Sequence, residues 1–248
     1  MVFKLKFVLC FVVIIKTVYA NSRVVNGSDA EEGEFPYAVS LRRMNSHTCG
    51  GTILNEKYIL TAAHCVCRDQ KAQNSSLFSI QYDLLTITTE PTNVVPVKEI
   101  HCDQFSSEKL IFDSAVLELE FPIPQGKWKP VKIAKNFPTE KRQTGTIIGW
   151  GRLYHGGPLS KNLQKLNVDI YSDETCGRKY DIKHHICFGA MVGGACNGDS
   201  GTALIVDDVQ VGIASFITDL CGIANEMHPN VYSRISTYYE WIQKISEM

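Results

Sequence analysis

Short apolar stretches split by turn residues recur along most of the chain. Lys57–Leu60, Phe78–Ile87, Asn93–Ile100, Ala115–Leu119, Thr144–Trp150, Leu163–Ile170, Ala203–Val206 and Val209–Phe216 carry many Val, Ile, Thr and Tyr residues. Those residue types suit a pleated, half-buried surface, so each stretch predicts a strand. Their even spacing predicts an all-β protein of antiparallel sandwiches or barrels. One helix is expected at the end of the chain. There Tyr238, Trp241, Ile242 and Ile245 recur at helical spacing on one face, and Ser236 or Thr237 is placed to cap its start. That face is read as docking on the body of the protein. No low-complexity tract or short repeat interrupts the pattern.

The first twenty residues follow another pattern. Lys4 and Lys6 precede an apolar run from Phe7 to Ile15, and Val18-Tyr19-Ala20 ends on a small residue. This order predicts a signal peptide over 1–20, cleaved after Ala20, and a secreted, extracellular protein. The competing reading, a membrane anchor, is disfavoured because the run is short and Lys16 interrupts it.

The 248 residues, 21% charged and 44% hydrophobic, fit an ordinary globular protein. That length suffices for one large domain or two small ones. Charge matters more for a chain that starts at Val24. Without Lys4, Lys6, Lys16 and Arg23 the chain has 21 basic and 26 acidic residues, a formal charge of −5. No basic excess suggests a nucleic-acid partner. Cys10 leaves with the leader, and the eight cysteines that remain form an even set, as in a secreted disulfide framework.

The densest chemistry lies in GGACNGDSGTA, from Gly193 to Ala203, where Ser200 stands between Asp199 and Gly201. Such a stretch suits a plain turn. It equally suits a loop whose backbone amides face a reacting oxygen. A hydroxyl becomes a strong nucleophile only when a base removes its proton. His64, in LTAAHC, is a candidate base, and Asp113, opening the apolar run DSAVLEL, is a candidate to hold the imidazole in one tautomer.

TAAHC, DSAVLEL and GDSG, in that order, resemble the three signature blocks of trypsin-like serine proteases. RVVNG, HTCGGTIL, GWG at Gly149–Gly151 and PNVYSRI at Pro229–Ile235 resemble further landmarks of that family. The resemblance spans nearly all of 24–248. It implies two six-stranded antiparallel β-barrels with a C-terminal α-helix, and an endopeptidase acting on protein or peptide substrates.

It further implies that Ser200 is the nucleophile, His64 the general base and then acid, and Asp113 its orienting partner. The amides of Gly198 and Ser200 would form the oxyanion hole. Residues 21–23 would be an activation peptide, removed by an activating protease that cuts after Arg23. The freed amine of Val24 would then pair with Asp199. Disulfides Cys49–Cys65, Cys176–Cys187 and Cys196–Cys221 are implied as well. Cys67 and Cys102 fall outside the family's common set and are expected to pair, since both flank the His64–Asp113 region. A zinc site drawing on His64, Cys65, Cys67, His101 or Cys102 is the rival, weakened by the absence of paired C-x-x-C spacing.

Specificity is expected from Gly194, Ser215, Ile217 and Asn230. Gly194 stands where relatives that cut after Lys or Arg carry aspartate. Ile217 and Asn230 stand where glycines are common. A shallow pocket for small or medium apolar side chains follows, with Leu or Phe as second choice, and Asp219 or Glu226 could lend negative charge. Thr202 and Ala203 depart from the family's usual Gly-Pro. That departure keeps open a catalytically weak or inactive homologue acting as a secreted binding or regulatory protein.

No cofactor is expected. Calcium is not indicated, because TITTEPTN holds a single acid, Glu90. Sequons at Asn26 and Asn74 predict glycosylation, the second being the better placed. His184-His185 is read as a solvent-facing loop, since neighbouring side chains point in different directions. The expected assembly is a monomer, with a protein inhibitor as a further partner.

Overall fold

The computed structural model describes residues 24–102 and 104–248. The expected leader over 1–20, with Cys10, and the activation stub ending at Arg23 lie outside the described residues.

Twelve strands build two closed barrels. In the first, β1 (Ala38–Arg43), β2 (Ser46–Ile53), β3 (Tyr58–Thr61), β4 (Phe78–Gln81), β5 (Val94–His101) and β6 (Ala115–Leu119) pair in the order β1-β2-β3-β6-β5-β4, with β4 returning to β1. In the second, β7 (Gln143–Gly149), β8 (Gln164–Ile170), β9 (His185–Gly189), β10 (Ala203–Val206), β11 (Val209–Ile217) and β12 (Asn230–Arg234) repeat that order as β7-β8-β9-β12-β11-β10. The ring is closed by β7 pairing β10, and β8 pairs β9 through Asp169↔Gly189 and Ile170↔Phe188. All these pairings are antiparallel, as the all-β expectation requires. Two-residue strands at Ser28–Asp29 and Lys132–Ile133 add to the second sheet.

Alternation explains the burial. Val39, Leu41, Ile53, Leu60, Ile80, Leu117 and Leu119 point into the first barrel, while Ile147, Val168, Phe188, Leu204, Val211 and Tyr232 fill the second. The predicted stretch Phe78–Ile87 is shorter as a strand. It stops at Gln81, and Asp83 takes a left-handed conformation with φ 49°.

Helix α1 (Ala63–Val66) follows β3 directly, α2 is Asp173–Cys176, and α3 (Ile235–Ile245) ends the fold. Tyr238 and Ile242 of α3 are buried against the first barrel's core. Neither Ser236 nor Thr237 caps this helix. It starts straight out of β12 at Arg234, and the Thr237 hydroxyl donates to the Lys183 carbonyl instead.

The His184-His185 pair is not a solvent-facing loop. Both side chains are buried and His185 opens β9. The two rings do point in different directions, His184 Nδ1 to the Tyr238 hydroxyl at 3.1 Å and His185 Nε2 to the Leu110 carbonyl at 2.9 Å. Both directions are covered by protein.

Four disulfides join Cys49–Cys65, Cys67–Cys102, Cys176–Cys187 and Cys196–Cys221. The cysteines of the rival zinc site are therefore consumed in disulfides and hold no thiolate to offer a metal. No helix among the described residues is long and apolar enough to cross a membrane.

Candidate active site

His64 sits in the short helix α1, which the Cys49–Cys65 bridge ties to β2. Its ring Nδ1 lies 2.8 Å from Asp113 Oδ2, and its backbone amide donates to Asp113 Oδ1 at 2.8 Å. One carboxylate thus holds both the ring and the main chain of the histidine.

Asp113 is fully buried at the end of a turn in which Leu110 and Phe112 have positive φ. The second barrel grips it twice. Ser215 of β11 donates its hydroxyl to Asp113 Oδ2 at 2.5 Å, and Ser233 of β12 donates to the Asp113 carbonyl at 3.0 Å. The Tyr238 hydroxyl accepts from the Phe112 amide next door at 3.1 Å.

Burial alone would raise the Asp113 carboxyl. The charge and hydrogen bond of His64, helped by Ser215, bring it below its ordinary value. Burial likewise pushes His64 down, but the Asp113 charge and hydrogen bond more than offset this and leave the imidazole above 6.5.

Ser200 lines the same cavity as His64, a space of about 290 Å³ that Ala195, Cys196, Asn197, Ala214, Ser215, Phe216, Ile217 and Tyr232 also border. The Ser200 loop is held down on both sides. Gly50 donates to the Ser200 carbonyl at 2.8 Å, Gly201 to Ala214 at 2.9 Å and Thr202 to Asp199 at 3.0 Å. Gly198 needs its φ of 99°, and a Cβ there would come within 2.7 Å of Leu159.

Thr202 is seated between this loop and β2. Its hydroxyl donates to the Asp199 carbonyl at 2.6 Å, and its methyl group fills the space above Gly50. The larger residue behind Ser200 is matched by the absent side chain of Gly50 on β2.

Asp199 is buried, accepting from the Gly151 amide at 2.7 Å and the Cys196 amide at 2.9 Å. Burial dominates those two bonds and raises its carboxyl to about 7. Val24 is fully buried in the apolar cluster that includes Ala195 and Tyr232, while the Val25 carbonyl accepts from Gly194 at 3.2 Å.

Gly194 and Asn230 are buried behind the cavity wall rather than on it. Asn230 Oδ1 accepts from the Ala195 amide at 2.7 Å and its Nδ2 donates to Ile223 at 3.3 Å. Asp219 lies 3.4 Å from His228, and Glu226 pairs with Arg142, so both carboxylates are engaged away from the cavity.

These groups occupy one framework with counterparts elsewhere. The family model described as Trypsin matches residues 24–242. The chain belongs to the trypsin family. Serine protease SP24D of Anopheles gambiae is 33% identical over 91% of this chain and 82% of its own length. Chymotrypsin-2 of Vespa crabro is 33% identical over 89% and 99%. Mouse neuropsin, described as a serine protease of the limbic system, superposes with a TM-score of 0.77 at 27% identity, covering 89% of this chain and 98% of that one. Human heparin binding protein shares the fold, with a TM-score of 0.75 at 22% identity over 88% and 94%. As a trypsin-family member the chain is a serine endopeptidase, a hydrolase of peptide bonds.

Two contributors escaped the sequence reading. Ser215 entered it only as a substrate contact, though its hydroxyl holds Asp113. His47, inside HTCGG, bridges the Ser40 hydroxyl at 2.8 Å and the Gly198 carbonyl at 3.1 Å. Burial lowers His47 to about 4, so it is neutral at physiological pH. A histidine just ahead of the Cys-Gly-Gly of β2 was the available signal.

Proposed function

We propose that Ser200 attacks the scissile carbonyl while His64 removes its proton, later returning it to the leaving amine. Asp113 keeps the His64 proton on Nδ1, so that Nε2 is the basic nitrogen. The amides of Gly198 and Ser200 take up the charge on the tetrahedral intermediate, a contribution of about 3 kcal/mol per donor. The observation that carries this reading is the two-point grip of Asp113 on His64 beside a cavity that Ser200 also lines.

The protein is made as a secreted zymogen in this reading, with 24–248 as the protease domain. A second protease cuts after Arg23, and the Val24 ammonium pairs with Asp199. A carboxylate buried without a cation is costly, and a charge partner removes that cost. Substrate preference is for small or medium apolar side chains before the scissile bond. Asn230 fills the space behind Ala195, Ile217 narrows the mouth, and the nearby acids Asp219 and Glu226 are already paired. The exposed Asn74 is the preferred glycan site and Asn26 the second. The working unit is a monomer open to a protein inhibitor.

The test is a fluorophosphonate probe on protein cut before Val24, with uncut protein and Ser200→Ala alongside and the adduct located by mass spectrometry. Labelling of Ser200 in the cut form alone is expected. Well-folded, cut protein that stays unlabelled would sink the proposal and favour a binding role. For specificity, Asn230→Gly should shift a peptide-library profile toward Leu and Phe, and an unchanged profile would remove Asn230 from the account.

A further inference from the structure

His101 belongs to no part of the catalytic account, yet it stands in a cluster with metal-ligating chemistry. It ends β5, two residues after Glu99, and strand periodicity puts both on the same face. Glu99 is paired in register with Glu118 of the neighbouring strand β6. A bulge between Val97 and Glu99 re-phases β5, so that Lys98 and Glu99 both face out while Ile100 returns to the core. As a result one nitrogen and two carboxylate oxygens, from His101, Glu99 and Glu118, lie within 4.8 Å of one another on the outer surface of the first barrel.

We propose that His101, Glu99 and Glu118 form a binding site for a divalent cation of the zinc class. Three observations carry it. The donor set, one imidazole and two carboxylates, gives three protein ligands and leaves a fourth position for water, a common zinc arrangement. The imidazole favours zinc over calcium, which prefers all-oxygen shells. Two glutamates directly opposite one another repel, so a cation between them relieves a cross-strand conflict.

Glu118 is 14% and His101 24% exposed, which leaves them limited freedom, whereas Glu99 at 58% can swing in as the third ligand. His101 Nδ1 is 4.0 Å from Glu99 Oε1. Ligands on one tetrahedral zinc are roughly 3.3–3.6 Å apart, so modest side-chain rotations complete the shell. At present Lys98 Nζ sits 2.6 Å from Glu118 Oε1 and partly meets the need for positive charge. Lys98 is 56% exposed, so its end of the pair is free to swing away.

Occupancy would tie β5 to β6 at a sensitive place. His101 precedes Cys102, which is bridged to Cys67 beyond α1, and β6 begins two residues after Asp113. The ion is therefore expected to stiffen the frame behind the histidine and aspartate of the active site.

The experiment is calorimetric titration of zinc chloride into Ser200→Ala protein, with calcium chloride as control. The expected result is one zinc per chain and no comparable uptake of calcium. His101→Ala and Glu118→Gln should each weaken zinc binding about tenfold or more. Lys98→Gln should tighten it by removing the competing ammonium, a gain that a merely damaged fold would not produce. The proposal is overturned by the absence of saturable zinc binding. It is overturned equally by affinity that both ligand variants leave unchanged, or by a Lys98→Gln protein that binds more weakly.

Discussion

The methyl group of Thr202 occupies the space that a side chain at Gly50 would need: a Cβ on Gly50 would lie 2.2 Å from Thr202 Cγ2. The Ser200 loop of the second barrel and strand β2 of the first are therefore fitted to one another. Gly50→Ala should destabilise the protein by about 1–3 kcal/mol through overpacking. Adding Thr202→Ser, which removes the methyl group and keeps the hydroxyl, should recover much of that loss. Urea unfolding of the two single variants and the double variant gives the coupling, and strict additivity would refute the fit.

In the proposed mechanism His64 sets the acid limb of activity. Only neutral imidazole can accept the Ser200 proton, and the Asp113 charge holds His64 above its ordinary 6.5. The value of kcat/KM should rise with pH through a midpoint above 6.5. Ser215→Ala should lower kcat/KM by roughly tenfold while the protein stays folded, because Asp113 would lose the hydroxyl bond that fixes its Oδ2. A pH–rate profile for both proteins tests this, and a midpoint below 6.5 in the wild type would contradict it.

Asp199 should make protein that has not been cut before Val24 sensitive to pH. Its carboxyl is raised to about 7 in the folded state and lies near 3.8 unfolded. Below about pH 4 both states hold the proton and the group contributes nothing. Between about 4 and 7 the unfolded chain gives up its proton first, so stability falls as pH rises, and above 7 the penalty is constant. The loss is on the order of 4 kcal/mol. Uncut Ser200→Ala protein should show this slope in urea unfolding, and the added Asp199→Asn change should flatten it. Equal slopes in the two proteins would exclude Asp199 as the cause.

The Cys67–Cys102 bridge, spanning 35 positions, restrains the chain between α1 and the Asp113 turn. Chain-entropy reasoning assigns a loop of that length about 4 kcal/mol. Replacing both cysteines by serine should lower the melting temperature by several degrees with the barrel fold intact, as followed by thermal unfolding. An unchanged melting temperature would show the bridge to be dispensable.

Much of this was legible in the sequence because it is local or periodic. Eight of the twelve barrel strands follow from residue type and alternation, whereas Ala38–Arg43, Ser46–Ile53, His185–Gly189 and Asn230–Arg234 gave no such signal, and TAAHC, DSAVLEL and GDSG each keep their chemistry within a few residues. Contacts set by barrel closure left no such trace. The bond from Ser215 to Asp113 joins positions 102 apart, and the match of Thr202 to Gly50 depends on two barrels meeting. For His184 and His185 the rule about opposite directions held. The inference of exposure failed because the Asp113 turn and α3 cover both sides. The strand predicted to reach Ile87 stops early because propensity cannot foresee where a closing barrel runs out of partners.

The shared strand order of the two barrels has a mechanical consequence. Each half closes on itself and leaves no free strand edge along its ring to zip onto its twin. The halves meet through backbone as well as side chains, as at Gly50 and Ser200, with His64 and Asp113 on one body and Ser200 on the other. On the proposed mechanism, the alignment of these three residues depends on how the two barrels are seated together. A ligand that grips both bodies would hold the machine in working trim. A wedge driven between them would silence it without touching His64, Asp113 or Ser200.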